Sequence, residues 1–293
     1  MKPRHSIFSP MKTVRLLLVL LCLHTTLRAV EITIDSEPFT IPAPRGYSLL
    51  TDDMQPWADI AKRYVPSTNK QYALFMPDTD ITLVKIGGAP QNNNRRYAVQ
   101  MLIAGEHDFI GNADFEKIKN GFRNQMNDNA NANGAATMKK ISDTALNADG
   151  GNASTTVNNL TMLPVHDETS RSVSCSMLTK FTVNDNGYDQ IMESVATITF
   201  VHLKGKVLYL YVYAPKEDLE WSRQASKEWL AEIMAANPVS AAMAQREQAE
   251  NHSGFNWFSL GKSGFQGAII GGIVGAIVVL MKRKNKSKSP PPA

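Results

Sequence analysis

The sequence predicts an α+β fold, an antiparallel sheet flanked by helices, followed by one C-terminal transmembrane helix. Three observations predict it. Apolar and polar residues alternate in several short stretches between Ile32 and Tyr213, the period of strands with one face in a core. A tight turn, Leu203-Lys204-Gly205-Lys206, joins two such stretches ahead of an amphipathic helix. Phe265 to Met281 carries no charged residue and runs into a basic cluster.

At the N-terminus, Met11-Lys12-Thr13-Val14-Arg15 precedes the apolar run Leu16 to Leu23. A basic start followed by a short apolar run is the layout of a signal peptide. The run is shorter than the roughly 20 residues that cross a bilayer. Residues 1–29 are therefore read as a leader, cut between Ala29 and Val30, with Met1 or Met11 as the start. Cys22 lacks the small preceding residue that lipid attachment needs, because Leu21 stands there.

Residues 30–238 are expected to fold as the main domain. Ile32, Ile34, Phe39 and Ile41 alternate as short strands, and Pro42-Ala43-Pro44-Arg45-Gly46 then turns the chain. Met54 to Tyr64 places Trp57, Ile60, Ala61 and Tyr64 on one helical side. Gln71–Met76 and Tyr97–Ala104 read as strands joined by the turn-rich loop Gly87 to Asn94. Phe115, Ile118, Phe122 and Met126 fall at helical spacing, with Asp114 as N-cap and an end near Asn127. Residues 127–159, rich in Asn, Ala, Gly and Ser, are expected to be an irregular insertion. Ser172–Val183 and Ile191–His202 read as strands. Val207 to Tyr213 is apolar or aromatic on both faces, which suits a central strand. After Pro215 a helix carries Trp221, Ala225, Trp229, Leu230, Ile233 and Met234 on its apolar side, and Asn237-Pro238 ends it.

The Pro44-Arg45-Gly46-Tyr47 entry and the strand–turn–strand–helix end at Ile191 to Ala236 resemble the PsbP/Mog1/DcrB-like envelope and lumenal domains. That resemblance implies a binding or assembly domain without catalysis, and no cofactor.

Residues 239–264 form a polar stretch expected to act as a stalk. Residues 265–281 would span about 25 Å as a helix, near the minimum for a bilayer. The basic tail, residues 282–293, would stay cytoplasmic and leave the main domain outside. Gly267, Gly271 and Gly275 recur every fourth residue, so one face of the span would let a second copy approach closely. The alternatives are that glycine is simply frequent in membrane helices, or that this end is a removable sorting signal.

Charge excludes one class of partner. The 31 basic residues exceed the 27 acidic ones, but ten basic residues lie in the leader and the tail. The middle keeps 21 against 27, a net of −6. Nucleic-acid binding requires a clustered basic face, and the middle has none. With Cys22 in the leader, Cys175 is the single thiol of the mature chain, which suits a disulfide-free bacterial envelope domain. Asn152, Asn159 and Asn251 begin glycosylation sequons that would matter only in a eukaryotic host.

No phosphate loop, nucleophile elbow or His-Glu-x-x-His pair is present. His107, His166, His202 and His252 are the histidines left to build a metal or acid–base site, with His107-Asp108 and His166-Asp167-Glu168 as candidates. No metal site is predicted from them. Cys175 reads as a buried structural thiol. Tyr209, Tyr211, Tyr213, Trp221 and Trp229 would either line a groove or pack a helix on the sheet. The expectation is a non-catalytic, membrane-tethered domain of the bacterial inner membrane that binds an envelope protein or supports an assembly. The alternatives are an anchored hydrolase built around His107 or His166, or a lipid or small-molecule binder.

Overall fold

The long alternating stretches pair into one twisted antiparallel sheet. The structure, a computed structural model, describes residues 29–63, 65–91, 95–129, 153–185 and 188–250. Its strands are β1 (Ala29–Ile34), β2 (Glu37–Pro42), β3 (Tyr47–Leu49), β4 (Asn69–Pro77), β5 (Arg96–Leu102), β6 (Ala153–Met162), β7 (Asp167–Thr169), β8 (Ser172–Asp185), β9 (Tyr188–Leu203) and β10 (Lys206–Pro215). The helices are α1 (Trp57–Arg63), α2 (Asp78–Lys85), α3 (Asn112–Asn129), α4 (Leu219–Ala236) and α5 (Ala241–Ala249). Among the described residues the main sheet runs β3-β4-β5-β10-β9-β8-β6, with β7 beside β8 and every pairing antiparallel. The predicted α+β class is thus observed.

Both faces of the sheet are covered. On one, Cys175, Met177, Ile198, Phe200, Tyr209, Tyr211 and Tyr213 meet α1 and α3 through Ala61, Phe115, Ile118 and Phe122. On the other, Val201, Leu208, Leu210 and Val212 meet α4 and the β1–β2 hairpin through Trp229, Ile233, Ile34 and Phe39. β10 is central because its successive residues feed both cores. Asn237 fastens the hairpin to the end of α4. Its amide donates to the Thr40 carbonyl at 2.6 Å, and its oxygen accepts from the Thr40 N–H at 2.9 Å. It thereby takes the place of a neighbouring strand along β2.

Several expectations need correction. The expected helix 54–64 is shorter, Trp57–Arg63, and Tyr64 lies outside the described residues. An unforeseen helix, α2, stands between β4 and β5, where Ile81 and Val84 supply a two-residue apolar side too short to register as a period. Asp114 is not the N-cap of α3. It lies inside the first turn, fully buried, with its carboxylate 2.9 Å from Lys117 Nζ. The insertion expected over 127–159 ends in strand β6, an edge strand on which Val157 is buried while Thr156, Asn158 and Asn159 are exposed. A strand with so little to bury has no apolar alternation to read. The segment 239–264, expected as a stalk, begins with a docked helix, α5. Among the described residues no helix is long and apolar enough to cross a membrane. Residues 265–281, with Gly267, Gly271 and Gly275, lie outside the described residues, as do residues 1–28.

Candidate functional site

α5 forms because Ser240 caps it, accepting from the Met243 N–H at 3.2 Å, and because alanines and an Arg246–Glu250 pair at i,i+4 support it. It docks at one end of the sheet, against loop 103–111 and the β9–β10 turn. Its Glu247 side chain is fully buried. One carboxylate oxygen accepts from Arg171, in the β7–β8 turn, and the other accepts from the Gly205 N–H at 3.1 Å. His202, on β9, brings Nε2 to 3.9 Å from the same carboxylate.

His202 is itself held on two sides. Its Nε2 donates to the Ile110 carbonyl at 2.7 Å, and its ring stacks on Phe115 at 5.2 Å. Burial is the main cause that lowers its pKa; the Ile110 bond and the Glu247 charge work in the other direction. The Arg171 carbonyl accepts from the His202 N–H at 2.8 Å, which ties the arginine's turn to β9. The buried Glu247 and His202 and the partly exposed Arg171 thus form one polar cluster joining three elements that are distant in sequence.

Two glycines make room for it. Gly205 sits at φ +72°, and a Cβ there would lie 2.3 Å from the Phe109 ring. A Cβ on Gly111 would lie 2.0 Å from the Glu250 carbonyl oxygen, so the end of α5 rests directly on backbone. Arg246 covers the Phe109 ring at 3.8 Å. Loop 103–111 is braced from below by Lys206, which donates to the Glu106 and Asp108 carbonyls at 2.8 and 3.0 Å and to Asp35 at 3.1 Å.

The residues singled out in sequence do not converge elsewhere. His107 is 82% exposed and pairs with Asp35 at 3.1 Å. His166 is half-buried beside β7, with no hydrogen bond at Nδ1 among the described residues, and burial lowers its pKa. His252 lies outside the described residues. Cys175 is fully buried on β8, and burial alone pushes its thiol up to about 12. Ala29 and Val30 open β1, paired with Pro42 and Ile41. Among the described residues no group of three or more His, Cys, Asp or Glu could hold a metal ion. The aromatic set divides. Tyr209, Tyr211 and Tyr213 face α1 and α3, whereas Trp221 and Trp229 belong to the opposite core, so they line no common groove. Helix-on-sheet packing accounts for them. Sequence reasoning missed Glu247 and Arg171, because a charged residue on a short polar helix looks solvated until its seat is known.

No family model and no curated protein matches the chain. Solved structures do. Cyanobacterial PsbP from Synechocystis is 9% identical, with a TM-score of 0.29, over 71% of this chain and 93% of that one. The Ran-binding protein Mog1p from Saccharomyces cerevisiae is 11% identical, with a TM-score of 0.28, over 72% and 93%. A Mog1 variant is 12% identical, with a TM-score of 0.29, over the same shares. The likeness is a weak one of fold alone.

Proposed function

We propose that this chain is a non-catalytic domain, tethered to the bacterial inner membrane, that binds an envelope protein or supports an assembly on the periplasmic side. The observation that carries this reading is the seat of α5. The Arg171–Glu247 contact, with the carboxylate buried, holds α5 on the body, which is what a tethered domain needs to present one surface to a partner. The acidic charge of the middle supports a body held off an anionic lipid surface. The hydrolase alternative needs a base facing a nucleophile, and His107 instead faces Asp35 at the surface. The lipid-binding alternative needs space between sheet and α4. That space is filled by Trp229, Leu230, Ile233 and buried serine and threonine hydroxyls.

Affinity purification of the full chain from detergent-extracted membranes tests the reading. A partner at fixed stoichiometry, retained by residues 30–250 and lost with residues 251–293 alone, is the expected result. Recovery of the chain by itself would overturn it. Resistance to alkaline carbonate extraction tests the tether separately, and release into the wash would remove that part.

A further inference from the structure

α5 is held to the body by charge. A surface helix ordinarily docks through an apolar stripe about 100° wide. Of the nine residues of α5 only Glu247 is buried, while Ala241, Ala242, Gln245, Gln248 and Ala249 are exposed. Its large apolar side chain, Met243, is half-buried. The helix therefore docks by placing a buried carboxylate in a seat built by the Arg171 guanidinium, the Gly205 N–H and the His202 ring. Burying an ion pair returns little net free energy, since desolvation offsets most of the attraction. Removing Glu247 is different, because the Arg171 guanidinium, partly exposed, and the Gly205 N–H then lose their acceptor beneath the helix. Docking of α5 thus hinges on one carboxylate. The chain just before α5 differs. Asn237, just before, is pinned to β2 through Thr40, and α4 is anchored by Trp229, whose Nε1 donates to the Pro42 carbonyl at 2.8 Å.

We propose that α5 is a charge-locked latch: seated, it fixes the exit point of the chain beside Gly111 and Gly205; released, it adds residues 239–250 to the segment that follows. Fully extended, these twelve residues at roughly 3.3–3.6 Å each would span at most about 43 Å. The latch thereby switches the body between a short, oriented attachment and a long, free one. That consequence rests on the reading of residues 265–281 as an anchor; the seating of α5 does not.

Hydrogen–deuterium exchange on the full chain in detergent micelles tests the latch through the amides of Ala244 to Glu250. In the wild type these amides are expected to be protected beyond what an isolated nine-residue helix shows. Glu247→Gln keeps size but removes the charge and turns one of the two acceptor oxygens into an NH2 donor, and should speed their exchange at least tenfold while α4 and β10 stay unchanged. Gly111→Val should do the same by steric exclusion, with Glu247 intact. Three results would overturn the proposal: wild-type α5 exchanging at unprotected rates, Glu247→Gln leaving α5 unchanged, or α4 and β10 accelerating together with α5. Carbonate extraction of the same samples reports on the anchor alone, so loss of the tether and loss of the latch are told apart.

Discussion

The His202 imidazole gives up its hydration on folding and gains one hydrogen bond among the described residues. Because Nε2 donates to the Ile110 carbonyl, the lone pair at Nδ1 is buried with no hydrogen-bond partner among the described residues. Burial holds the imidazole below its ordinary pKa of 6.5. Above that pH the folded and unfolded chains both keep the ring neutral, and nothing is lost. As the pH falls below it, the unfolded chain takes up a proton that the folded one refuses, so stability drops. Urea midpoints measured from pH 7.5 down to 5.5 should therefore decline, and His202→Gln should make that decline shallower. An identical slope in the variant would count against this account. Cys175 offers a second check at the same scale. With its thiol raised to about 12 and no exposure, it should resist iodoacetamide in the folded chain at pH 8 and react once urea is added. Labelling of the Cys175 peptide without denaturant would show that β8 opens.

At the scale of elements, the strands with a clear apolar period were legible, and the role of their second face was not. Val173-Ser174-Cys175-Ser176-Met177 and Ala196-Thr197-Ile198-Thr199-Phe200 read as half-exposed strands with a polar outer face. In the fold that polar face lies under α4. Ser174 and Thr199 are 2.7 Å apart, Ser176 and Thr197 3.0 Å, and two further bonds of 2.8 and 2.9 Å run from Thr197 to Ser222 and from Thr199 to Ser226. The hydroxyls satisfy one another, so a pattern that looks solvated becomes a helix seat. Thr197→Val should cost about 1–2 kcal/mol, because it strips a partner from Ser222 and Ser176 at once. Adding Ser222→Ala to it should cost less than the sum of the two single changes, since the unpaired hydroxyl is then removed. Strict additivity in denaturant titrations would mean that the two hydroxyls are not coupled. β6, β7 and α2 escaped reading for a plainer reason. Each has too few apolar residues to show a period, and each is placed by the neighbour it pairs or packs with.

For the whole molecule, what could be read from the chain was whatever a local window contains. The layered α+β architecture and the separation of charge between ends and middle are of this kind. The ionic seat is not, because Arg171, His202 and Glu247 are brought together by the sheet, with Arg171 and Glu247 76 positions apart. The attachment, in contrast, is expected from the ends alone, and a direct measurement decides it. Ten basic residues concentrated in the leader and tail should orient the chain with its tail in the cytoplasm, since basic residues beside a short span stay inside. A reporter enzyme active only outside the cytoplasm should therefore work when fused after Pro238 and be silent when fused after Ala293. The pair of fusions matters more than either one. Activity at both sites would mean a chain exported whole, whose apolar segment is not a stop. Silence at both would mean a chain never exported, in which case residues 16–23 are no leader. Only the asymmetric outcome leaves the body on the far side of the membrane, where a change in the charge of Glu247 would alter how far the body can reach.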